Sequence, residues 1–63
     1  MDLEKLRRLL EHWIAHNEEH ISKYREWADR VAEEREDVSK IILESVEHFE
    51  RGNDILRRAL ERL

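Results

Sequence analysis

The sequence predicts an all-α protein, a two-helix antiparallel hairpin that dimerises into a four-helix bundle. Three observations carry this expectation. Of 63 residues, 44% are charged and 40% apolar, with one Gly and no Pro, the composition of long helices rather than of strands and turns. The apolar residues recur at alternating steps of three and four, which marks one face of a helix. A chain this short rarely buries a sufficient core alone, so it is expected to need a partner, a metal or another staple.

The first helix is expected over about residues 2–34, as part of a single domain covering 1–63. Leu3, Leu6, Leu10, Trp13, Asn17, His20, Tyr24, Trp27 and Val31 follow one another along one stripe. Ile14, Ile21 and Ala28 widen it on one flank, and Leu9 on the other. Asp2 suits the N-cap, because its carboxylate can accept from a free amide of the first turn.

The turn is expected at about 34–37, within the wholly charged run Glu33-Glu34-Arg35-Glu36-Asp37. No Gly or Pro marks it, so one continuous helix of roughly 90 Å is the competing reading. A break in register favours the hairpin, with Asp37 as N-cap of the second helix, about 37–62. Ile42, Val46, Phe49, Asn53, Leu56, Leu60 and Leu63 form its stripe. Val38, Ser45, Gly52 and Ala59 are small neighbours of that stripe, where another backbone can come close.

Folding the chain about residues 35 and 36 sets Asn17 opposite Asn53. His20 then falls near Gly52 and Phe49. The two interruptions of the apolar stripes thus share one layer. Asn17, His20, Gly52 and Asn53 are the expected polar layer, and a buried Asn on such a seam fixes register and oligomer state at a cost in stability. Two helices alone leave much of each stripe wet, and the stripe of the first is too wide for one partner helix, so a homodimer is expected to cover the remainder.

Chemistry, if present, lies in the histidines. His12, His16 and His20 repeat every four residues. Two imidazoles one turn apart can chelate one divalent ion. His16 and His20 are therefore the expected ligands, with His12 or His48 assisting, for Zn, Ni or Co. The alternative is a structural or interaction module, natural or designed, whose polar layer only sets register and partner. With no Cys, thiolate sites and disulfides are excluded. No inward Glu-x-x-His pair, zincin motif, phosphate loop or nucleophile elbow occurs, so an enzyme is not expected.

The net charge of −4, with both signs interleaved, argues against a nucleic-acid binder. An arginine-rich end formed by Arg7, Arg8, Arg57, Arg58 and Arg62 is the local exception, and acids are mixed into it. No apolar run approaches a membrane span and no signal-peptide pattern occurs, so a soluble cytoplasmic protein is expected. Abundant Glu, Arg and Lys also suit a thermophile.

The stretch LLEHWIAHNEEHISKYREWA, with a second helix ending NDILRRALERL, resembles a group of small helical-hairpin domains of unknown function. These occur in archaea and anaerobic bacteria and share a His-Trp-x-x-His-Asn-x-x-His stretch, here His12, Trp13, His16, Asn17 and His20. The resemblance covers nearly the whole chain. It implies a helical hairpin and metal handling, and carries no activity with it.

Overall fold

The computed structural model describes all residues, Met1–Leu63. Two helices, α1 (Leu3–Val31) and α2 (Glu36–Glu61), pack antiparallel as a hairpin. The molecule is a rod of 50 × 14 × 13 Å. Its radius of gyration is 14.8 Å, against about 11 Å for a compact chain of this length.

Asp2 caps α1, accepting from the Lys5 amide at 2.9 Å. The turn comes earlier than expected and occupies residues 32–35. The amides of Glu34 and Arg35 donate to the Val31 carbonyl, and the Ala32 amide to Ala28. No residue in the chain takes a positive φ, so this turn needs neither Gly nor Asn. That is why the charged run could turn without a sequence marker.

Asp37 is not the N-cap of α2. Arg35 holds that position with no side-chain capping bond, and Asp37 lies inside the first turn. Its carboxylate accepts two bonds from the Arg35 guanidinium, at 3.0 and 2.9 Å. The pair holds the Asp37 carboxyl below its ordinary range and raises Arg35, and the Val38 amide lowers Asp37 further. Glu36 and Asp37 also place negative charge at the positive end of the α2 dipole.

The helix contact differs from the expected stripe by one rotation. Leu10, Ile14, Ile21 and Ala28 are buried on α1, and Ser39, Val46 and Asn53 on α2. The seam of α1 therefore takes its second position from Ile14, Ile21 and Ala28. The neighbouring stripe of Trp13, His20 and Trp27 stays outside. Leu10, Asn17 and Tyr24 serve both registers, which makes the two readings hard to separate. Ala28 is fully buried, so the backbones come close near the turn, where a larger side chain would be overpacked.

Candidate functional site

At mid-height of the seam, Asn53 is 2% exposed. Its Nδ2 donates to the Ile14 carbonyl at 3.1 Å, and its Oδ1 accepts from Asn17 Nδ2 at 3.0 Å. No buried side-chain polar atom lacks a partner, so the layer carries no penalty for an unmade bond. His20 and Gly52 do not belong to it. His20 is exposed, and a Cβ placed on Gly52 would meet nothing within 4 Å. The glycine neither admits a close helix nor opens onto an imidazole.

The histidines form a ladder on the outer side of α1. His16 and His20 bring their Nε2 atoms within 2.8 Å, so one ring donates from Nε2 and the other accepts. Their ring centres are 4.5 Å apart, and those of His12 and His16 are 5.9 Å apart. The series continues through Tyr24, 6.0 Å from His20, to Phe49 of α2, 5.4 Å further. His48 is exposed on α2. No three His or acidic side chains gather where they could hold an ion, so His12 and His48 do not complete a site with the pair.

The two long sides of the hairpin differ in chemistry. On one, Glu18 pairs with Arg57 and Arg25 with Glu50, while Asp54 also accepts from Arg57. These pairs are half-exposed and contribute little stability. A shallow depression of about 450 Å³ lies there, with Ile21 its single apolar lining residue. The opposite side holds Trp13, His16, His20, Tyr24 and Trp27 of α1 beside Ile42, Phe49 and Leu56 of α2. It carries no Asp, Glu, Lys or Arg among them, in a chain that is 44% charged. Trp13 is 44% exposed, Trp27 60% and Phe49 52%. Arg30 reaches over Trp27 from the rim, 4.8 Å from the ring centre.

Trp13 and Trp27, members of the apolar stripe expected from the sequence, thus lie on this neutral face and outside the helix contact. The width of the α1 stripe is its sequence signal: the flank of Leu10, Ile14, Ile21 and Ala28 is buried, and the flank of Trp13 and Trp27 stays exposed. No helix is long and apolar enough to cross a membrane.

No solved structure matches the chain. It is 30% identical over 59 residues to an uncharacterized protein of Archaeoglobus fulgidus, covering 94% of this chain and 95% of that one. Residues 6–63 match the family model described as "Domain of unknown function (DUF8180)". The chain thus belongs to the DUF8180 family, a small all-α domain built as a two-helix hairpin.

Proposed function

We propose that this protein is a non-enzymatic, self-associating helical module. A second copy covers the neutral face, and the two hairpins form an antiparallel four-helix bundle. The observation that supports this most is the half-exposed Trp13, Trp27 and Phe49 on one uncharged side. Contiguous exposed apolar surface of this kind, rimmed by charge, is characteristic of interaction faces.

Surface area supports the same reading. A compact monomer of 7.8 kDa exposes about 4,400 Å². This hairpin exposes 5364 Å². The excess, about 1,000 Å², is close to what each partner buries in an interface of standard size. Only five apolar residues are buried within the hairpin, too few to offset the ordering entropy of the chain. In this reading the His-Trp-x-x-His-Asn-x-x-His stretch supplies both layers of the bundle. Asn17 fixes the hairpin register, and Trp13, His16 and His20 face the partner.

Tryptophan emission tests the proposal. Association removes Trp13 and Trp27 from water, so the emission maximum shifts to shorter wavelength as the chain is concentrated. Phe49→Glu places a charge in the face at a half-exposed position and leaves the buried Asn17–Asn53 layer in place. It is expected to keep the helical circular dichroism and abolish the shift. A concentration-independent spectrum in the unmodified protein would refute self-association.

A second reading rests on the 2.8 Å approach of His16 and His20, a spacing that suits chelation of a divalent transition metal such as Zn, Ni or Co.

A further inference from the structure

We infer that the protein binds one divalent transition metal per two chains, through His16 and His20 of each copy. This rests on the self-association proposed above. Within one chain the pair supplies two ligands, and no third is within reach. A structural zinc site needs four, so the missing two must come from outside the chain.

The placement of the pair supplies them. Helix α1 runs from Leu3 to Val31, so its midpoint is Asn17, and His16 and His20 straddle that point. The outer stripe of Leu6, Trp13, His20 and Trp27 is centred there too. A two-fold axis crossing the helices at mid-height lays α1 antiparallel against its own copy, with the stripe superposed on itself. Residues near such an axis meet their own counterparts. Each residue of offset from the axis moves a side chain by only about 1.5 Å along the helix, so each of the four imidazoles lies within one turn of the axis.

The donor atoms fit the ion. Two nitrogens bound at about 2.1 Å to a tetrahedral zinc lie about 3.4 Å apart, and the Nε2 atoms now stand 2.8 Å apart. A small rotation of two exposed rings closes that difference. The ring that donates from Nε2 must move its proton to Nδ1 before it can ligate. The two donors are imidazole nitrogens, which favours Zn(II), Co(II) or Ni(II) over Mg(II) or Ca(II).

The test combines sedimentation in EDTA with titration of the metal-free protein by Zn(II) and Co(II). The expected result is a dimer in EDTA, one Zn(II) bound per two chains, and the visible absorption of tetrahedral Co(II). His20→Gln, at a position exposed in the single hairpin, is expected to lose that binding, with circular dichroism and sedimentation of the variant reporting its helix content and association separately. A dimer that binds no metal, or one ion per chain, overturns the shared site and leaves self-association standing. A monomer under all conditions overturns both. A dimer formed only with metal supports the site and overturns association of the metal-free chain.

Discussion

Asn53→Ala perturbs the most constrained polar group in the molecule. The amide makes two hydrogen bonds, to the Ile14 carbonyl and to Asn17, at 2% exposure. Each bond contributes about 1 kcal/mol. Ala gains about 0.6 kcal/mol of helix propensity over Asn, and the void left by the amide costs about as much again. The net loss is therefore about 2 kcal/mol, a fall in melting temperature of about 8–16 °C for a domain of this size. Thermal and urea unfolding at one fixed chain concentration reads it, since association shifts apparent stability. Adding Asn17→Ala closes a double-mutant cycle, and a coupling of about 1 kcal/mol is expected between the two amides. A loss below about 0.5 kcal/mol, or strictly additive single effects, would refute the interlocked layer.

Other expectations follow from the surface. Gly52→Ala adds a methyl that meets nothing, so the hairpin gains about 1 kcal/mol of helix propensity; unfolding measured on the Phe49→Glu background shows it free of association, and a loss would mean that Gly52 is packed. Asp37 titrates below the ordinary carboxyl range because Arg35 bonds its charged form. Its contribution is fully present above the unfolded value and is lost as pH falls through the lower folded one. Carboxyl NMR shifts followed against pH locate that midpoint, which rises toward the ordinary range in Arg35→Ala as the largest cause of the shift is removed. An unchanged midpoint would show that the pair does not form in solution.

Much of the fold was legible because two independent patterns agreed. The stripes on either side of the charged run were each interrupted by one Asn, and folding the chain between them brought Asn17 and Asn53 together, as the structure does. The Asp2 cap was legible from residue type alone. The seam of α1 was not. Leu10, Asn17 and Tyr24 fit either of two adjacent registers, and the bulk of Trp13 and Trp27 drew the reading toward theirs. Close packing near the turn decides otherwise, because Ala28 fits between backbones where Trp27 does not. The second helix start was misplaced for a related reason. Asp37 has the chemistry of a cap, but its carboxylate is engaged by the guanidinium of Arg35. The histidine ladder was half legible: spacing gathers His16 and His20, whereas His48 is exposed on the other helix.

Sedimentation equilibrium of the metal-free chain over a range of concentrations tests the central claim most directly. The neutral face of Trp13, Trp27 and Phe49 predicts a reversible dimer that Phe49→Glu converts to monomer. A single monomeric species at high micromolar concentration, with both tryptophans still in water, would contradict it.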